Sequence, residues 1–437
     1  MKNIKKSYFI IFGLIVLAVV CFSTSYAIFS NTKEEHGKLN IVAGNLNYKI
    51  ESSELDSDSV TVPANTSKEI RIKLTSLNEV SSKYELYYIL DNTNDKVSVG
   101  YSKDTKDSVL GTVEANKNKI ITIAIRNDSD TSSKITFKVL GGLLNNNLAL
   151  KDGNSLNQEV SIYRVLSKAI LEDNKLITAT PTLTTSSNNT SDESGLYSST
   201  ATNTGNPTYY FRGNVENNYV NFAGFTWRIV RVNEDGTIRI VMQDGINDNA
   251  TYKFNSKYDN YSYMYYSNSE VKTTLESWYQ TNIGSKADLA KNVASGAYYC
   301  EQAKVKRNSS WTSESANMIL YSSYTPDFKC ATDGNGKGQA NASVGLLTYD
   351  EVVYAGGYYY HNNSNYYLNN SAIYWWTMSP AGFSDSYSNA WSVSAPGEII
   401  NLDVGSALRA VRPVLVLNAG TQISDGDGTK NNPFVVE

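Results

Sequence analysis

Residues 226–241 read Thr226-Trp227-Arg228-Ile229-Val230-Arg231-Val232-Asn233-Glu234-Asp235-Gly236-Thr237-Ile238-Arg239-Ile240-Val241. β-Branched and aromatic side chains crowd both flanks, and Asn233-Glu234-Asp235-Gly236 between them supplies residues that tolerate a tight reversal. The stretch predicts a β-hairpin. Outward from it the pattern continues: Tyr219–Phe222 precedes it, and Ile373–Met378, Ala390–Val393 and Ala410–Leu417 follow as further strands. Two capping boxes lie between. Ser267-x-x-Glu270 stands ahead of Val271, Leu275 and Trp278, with Gly284 beyond; Thr348-x-x-Glu351 opens a short helix closed by Gly356 and Gly357. Strands at both ends with two helices between predict an α+β domain over residues 208–420 whose ends meet in one sheet. Residues 421–437 add a C-terminal turn and strand.

The N-terminal half alternates with period two. Leu39–Val42, Leu46–Ile50, Ile70-Arg71-Ile72-Lys73-Leu74, Tyr84–Leu90, Ile120–Ile125 and Ile135–Leu140 each present one apolar face, separated by Asn, Asp, Ser and Gly. That predicts a β-sandwich, jelly-roll or Ig-like in outline, over residues 28–155 with roughly seven strands. Trp and Cys are both absent from it, which excludes an antibody-like Cys-Trp-Cys core. Val160, Tyr163, Leu166 and Ile170 fall along one side of a helix and predict a helical connector over 156–171. Residues 172–207, rich in Thr, Ser, Asn and Gly, read as a solvated linker. The fold class is therefore mainly β with an α+β second half.

Length and charge bound the function. The chain has 437 residues, which implies more than one domain, and 41% hydrophobic content suffices for cores. Net charge is −4 and no basic block occurs beyond the first six residues, so a nucleic-acid partner lacks its Lys/Arg footprint. Two His and three Cys leave little material for His-based catalysis or zinc chemistry. With no Ser-His-Asp order, paired-carboxylate motif or phosphate loop, the reading is of a protein that is not an enzyme and needs no cofactor or metal.

Residues 1–27 have the layout of a signal peptide: Lys2, Lys5 and Lys6, the apolar run Tyr8–Val20, and Ser25-Tyr26-Ala27 at the cleavage position. An uncleaved anchor is the competing reading, and would be the chain's one membrane contact. Either way the protein is expected outside the cytoplasm, extracellular or on the cell surface. The mature chain then keeps only Cys300 and Cys330, which an oxidising compartment would join in a disulfide. A ring of this length stabilises by roughly 3–4 kcal/mol on the chain-entropy model.

Two resemblances add to this. Tyr26-Ala27-Ile28-Phe29-Ser30-Asn31-Thr32 followed by Leu39-Asn40-Ile41-Val42-Ala43-Gly44-Asn45-Leu46 resembles the start of the TasA/camelysin group of bacterial surface and matrix proteins. It implies a jelly-roll-like sandwich and self-assembly by strand donation through residues 28–38. Phe211-Arg212-Gly213, Trp227-Arg228-Ile229-Val230-Arg231, Trp375-Trp376-Thr377-Met378-Ser379-Pro380, Ala390-Trp391-Ser392-Val393 and Val411-Arg412-Pro413-Val414-Leu415 resemble an uncharacterised domain of bacterial surface proteins, itself similar to the sulfatase-modifying-factor branch of the C-type lectin fold. That implies a loop-displaying C-type-lectin-like domain and carries over no activity. The reactive cysteine pair of the sulfatase-modifying enzymes and the calcium signatures of sugar-binding lectins are missing here.

Aromatic loops are the candidate contact surface, because Tyr and Trp give large contact area at small entropic cost. Tyr359, Tyr360, Tyr366, Tyr367, Trp375, Trp376 and Trp391 are the candidates, with core packing as the alternative for each. Arg409 and Arg412 flank the last long strand and can clamp a ligand carboxylate or close a structural ion pair. Asp425-Gly426-Asp427-Gly428-Thr429 hints at a calcium loop, but a turn into the terminal strand explains it better. The expectation is an adhesin-like or matrix-associated binding protein that takes a glycan or protein ligand on another surface. The alternative is a fibre subunit.

Overall fold

The protein is described by a computed structural model covering residues 47–91, 96–143, 159–181, 183, 192–303, 325–332, 337–384 and 387–436. The signal peptide, the assembly segment 28–38 and the strand expected at Leu39–Val42 lie outside the described residues. Strands hold 41% of the described residues and helices 14%, which makes the fold mainly β. Residues Leu46–Glu437 form one compact unit.

Two sheets occupy the N-terminal part. One runs Tyr48–Glu51, Thr66–Ser76, Asn118–Asn127, Val97–Tyr101, each antiparallel to its neighbour. The other pairs Ser133–Leu143 with Ser82–Leu90, with Ser59–Val62 at one edge and Leu110–Val113 and Glu159–Ser161 at the other. Alternation sets the faces: Ile70, Ile72 and Leu74 are buried while Arg71 and Lys73 are exposed. Register then places Ile70 opposite Ile123 and Ile72 opposite Ile121, so buried rows meet buried rows. Each such isoleucine stabilises by roughly 1.5–3 kcal/mol.

A nine-stranded sheet organises the rest. Its hub is the hairpin Phe225–Val232 and Ile238–Met242, turned through Gly236 at φ 81° and closed by Asn233 N–H donating to Thr237 O at 2.7 Å. Val414–Leu417 flanks this hairpin on one side, and Thr208–Arg212 and Tyr219–Phe222 on the other. Gln422–Asp425 and Phe434–Val436 pair with each other, and Phe434–Val436 joins Tyr219–Phe222 in parallel. The start and end of the second half thus share one sheet. A six-stranded sheet built on Trp375–Ser384 and Tyr387–Val393 packs into the same hydrophobic core.

Three helices matter: α1 (Leu166–Asp173), α2 (Glu270–Tyr279) and α3 (Tyr349–Ala355). In α3 the capping box closes as the sequence implies. Thr348 Oγ1 accepts from Glu351 N–H at 3.1 Å, Glu351 Oε2 accepts from Thr348 N–H at 3.0 Å, and Gly356 ends the helix at φ 124°. α2 starts two residues later than its motif suggests. Ser269 is the N-cap, because Ser267 is occupied in binding both carboxylate oxygens of Glu301 at 2.6 Å.

Two further expectations need correction. The connector 156–171 is not one helix: Glu159–Ser161 pairs with Tyr87–Ile89, Arg164–Val165 pairs with Gln422 and Ile423, and only then does α1 begin. The spacing of Val160 and Tyr163 suits a helix, but buried Ile162 makes the same run alternate as a strand. The linker 172–207 likewise contains structure. Gly195–Ser199 forms a five-residue ladder with Thr208–Arg212, and its Leu196 and Tyr197 are buried. Two apolar residues among hydroxyls suffice to hold an edge strand once a partner strand waits beside it. Cys300 and Cys330 are joined in a disulfide with Cα atoms 5.4 Å apart, across a sequence separation of 30.

Candidate functional site

The eight residues singled out from the sequence do not form one surface. Tyr366, Tyr367, Trp375, Trp376 and Trp391 are all at most 3% exposed, so their ring faces are spent on the core. Trp376 Nε1–H donates to Tyr252 O at 2.9 Å, and Trp391 meets Tyr349 and Tyr359 edge-on or tilted. Adjacent Trp375 and Trp376 point to opposite faces of their strand; both are buried because both faces of this sheet are covered. Tyr360 is exposed, in the left-handed region at φ 50°, with its hydroxyl bonded to Asn401 and its ring against Tyr359 at 4.4 Å. Arg409 is half-buried and stands over the exposed Tyr374 ring at 5.0 Å. Among the described residues it makes no ion pair, and neither does Arg412. The structural ion pair open to them is replaced by aromatic faces and backbone carbonyls.

An open pocket of about 680 Å3 gathers Tyr366 and Tyr367 with residues the sequence reading did not select. Its charged floor is Arg228, on the hub strand. Antiparallel register sets Tyr219 directly opposite Arg228, and the guanidinium lies 3.8 Å from that ring's centroid. Buried Asn218 accepts from Nε at 2.7 Å and also from Nη2, and Val215 O accepts from Nη2 at 2.8 Å. Nη1 has only long contacts, 3.4 Å to Gln243 Oε1 and 3.4 Å to Tyr367 O. Behind it, fully buried Arg412 donates to Met242 O and Leu368 O and lies 4.9 Å from the Trp375 ring, while its Nη2 has no hydrogen-bond partner among the described residues. Burial pulls both guanidiniums below their ordinary range. Arg412, repelled in addition by Arg228, is pushed down to about 10. The carboxylates that neutralise other buried arginines here, Asp192 for Arg212 and Glu351 for Arg231 and Arg239, have no counterpart at Arg228 among the described residues.

The rim comes from three separate loops. Asn214 and Glu216 precede Tyr219; Ser364 and Asn369 flank the buried tyrosine pair; Thr429, Lys430 and Asn431 arrive from the far end of the chain. Gly428 positions that last loop: at φ 81°, a Cβ there would run into the Phe434 ring and Asn217 O, and its carbonyl accepts from Tyr219 N–H at 2.8 Å. The Asp425–Thr429 run serves this turn, with Asp425 accepting from Ser108 and its own Gly426 N–H, and Asp427 from Thr429 N–H. Arg228 was legible, with Arg231, as one of two basic residues in a largely apolar strand, a pattern that calls for buried partners, but nothing local identifies which residues surround it.

A second charged cluster is structural. Glu351 Oε1 lies 2.5 Å from Arg239 Nε and 3.3 Å from Arg231 Nε, with all three side chains at most 5% exposed. The cavity beside it holds about 20 Å3, room for one water and no ligand. Burial raises the Glu351 pKa, but Arg239 and Arg231 together outweigh it and hold the carboxyl below its ordinary range.

No family model, curated protein or solved structure matches the chain.

Proposed function

We propose that the protein is a secreted or cell-surface bacterial binding protein, adhesin-like or matrix-associated, that takes a glycan in the pocket over Arg228. In this reading the N-terminal sheets are a jelly-roll-like sandwich that carries the site, and the second half is a C-type-lectin-like domain that displays it. The observation that carries the reading is the pocket's chemistry. Amide side chains of Asn214, Gln243, Asn369 and Asn431 and the hydroxyls of Ser364 and Thr429 converge on a space of about 680 Å3, within the range of small-ligand sites. Amides and hydroxyls both donate and accept, which suits the hydroxyl array of a sugar, and Tyr219 supplies an aromatic wall. This moves the binding site from the tyrosine and tryptophan faces to the polar rim beside them.

Glycan-array screening of the full chain tests the proposal, with Gln243→Ala and Asn369→Ala as pocket variants. Binding that weakens about tenfold in both variants supports it, as one or two lost hydrogen bonds would produce. An array without hits sinks it. The fibre-subunit alternative rests on residues 28–38, outside the described residues. The edge strand Tyr48–Glu51 carries Lys49 and Glu51, paired at 2.6 Å, and charged edges of this kind oppose strand addition.

A further inference from the structure

We propose that the pocket selects acidic saccharides, and that Arg228 is the residue that binds the sugar carboxylate. The inference rests on the glycan reading above and adds the charge of the ligand to it.

Three observations lead there. First, Arg228 is a buried guanidinium without an anion. Among the described residues no carboxylate stands within ion-pair distance of it, although the same sheet neutralises Arg231 and Arg239 with Glu351. Taking a guanidinium out of water without a counter-charge is unfavourable by several kcal/mol, and hydrogen bonds to Asn218 and Val215 O offset only part of that. A ligand anion removes the remainder.

Second, the side chain is held ready. Asn218 and Val215 O fix Nε and Nη2, and the Tyr219 ring covers one face of the guanidinium plane. What is left is the Nη1 edge, whose contacts to Gln243 Oε1 and Tyr367 O are both 3.4 Å and easily exchanged for a better acceptor. A planar carboxylate approaching in the guanidinium plane matches that edge, because Arg recognises carboxylates through in-plane N–H groups.

Third, the field around the site is positive. Among the charged residues lining the pocket, Arg228 and exposed Lys430 stand against the single carboxylate of Glu216. Arg412 lies behind the wall with an unpartnered Nη2, and the acid that acts on it most is Asp244, which is exposed and bonded to Asn370. The excess is about one charge, matched to a monoanion such as a uronic or sialic acid. The amides of Gln243 and Asn369 are left for its hydroxyls.

The test is calorimetric titration of the full chain with a trisaccharide carrying a single galacturonate and with sialyllactose, both monoanions, each beside its methyl ester, which removes the charge and adds one methyl group. A sulfated trisaccharide of the same size is the third arm. At least one acid should bind about 10- to 100-fold tighter than its ester, the worth of one charge-assisted hydrogen-bond pair. Arg228→Lys keeps a positive charge but loses the planar fork and should remove that preference. Lys430→Gln, at an exposed rim position, should weaken acid binding by about threefold, as a rim charge does. Tryptophan fluorescence confirms that both variants are folded. Equal binding of acid and ester overturns carboxylate selection and leaves the glycan reading standing. Tighter binding of the sulfated sugar, or an acid preference that survives in folded Arg228→Lys, overturns the assignment to Arg228 and a carboxylate. Binding of none of the saccharides overturns both.

Discussion

Replacing Glu351 by Gln isolates the charge at the centre of the second half. Glutamine keeps the length, the planar end group and an acceptor oxygen for Thr348 N–H, so the α3 cap survives and only the negative charge is removed. Two guanidiniums then remain buried, Arg239 and Arg231, at 3% and 5% side-chain exposure. Each contact at this range is worth about 4 kcal/mol at an effective dielectric of ~20, before desolvation is subtracted. Relief from burying the carboxylate offsets part of the loss, and breaking a buried ion pair from one side costs about 3–5 kcal/mol net. The one water that the adjoining cavity admits can accept a hydrogen bond from an arginine but cannot replace the lost negative charge. Urea unfolding followed by tryptophan fluorescence reads the effect where it occurs, since all six Trp lie after residue 207. Thr348→Ala, which removes the cap and keeps the charge, should cost only about 1 kcal/mol. A pH arm checks the sign. The folded-state pKa of Glu351 is lowered, so its stabilisation is complete above the ordinary carboxylate range and is lost as pH falls through the lowered value. Glu351→Gln should lack that part of the acid limb. A loss below about 1 kcal/mol, or an acid limb identical to that of the unmodified chain, would refute the view that this triad is an electrostatic keystone.

Other expectations follow from packing. Cys330→Ser should lower stability by roughly 3–4 kcal/mol in denaturant titration, since the ring also pins Phe328 onto Tyr354 at 4.0 Å; no difference from the reduced parent under dithiothreitol confirms the cause. Alkaline pH should unfold the chain. Burial pushes Tyr88 up to about 12 and raises Tyr84, Tyr101, Tyr210 and Tyr366 as well, so the stability they contribute is full below about pH 10 and is lost as pH rises through their folded values. Arg412 works in the opposite direction over the same range but is one group against many; tyrosinate absorbance that rises together with loss of structure is the expected record. Tyr360→Gly relieves a left-handed φ at an exposed site and should leave stability within about 1 kcal/mol of the parent or raise it; a loss of 3 kcal/mol or so would mean the ring is a packing residue after all.

The sequence by itself determined the elements. Alternation in Ile70–Leu74 and Ile120–Ile125, the Asn233–Gly236 turn, the Thr348–Glu351 box and the pair Cys300–Cys330 each act over a few residues or have one available partner, and each is found in the structure. Where two local patterns competed, as at Val160–Tyr163, or where a weak strand depended on a neighbour, as at Gly195–Ser199, sheet pairing decided. The fate of the aromatic residues also lay beyond the sequence. Period two says that Trp375 and Trp376 face opposite ways, not that both faces are covered. The pocket is the clearest case: Arg228 meets residues 214–219, 243, 364–369 and 429–431 only because the parallel pairing of Phe434–Val436 with Tyr219–Phe222 carries the chain's far end back to the hub hairpin. Desolvation depends on what surrounds a group in space, so whether an arginine is neutralised, or left waiting for an anion, is fixed by the tertiary structure alone.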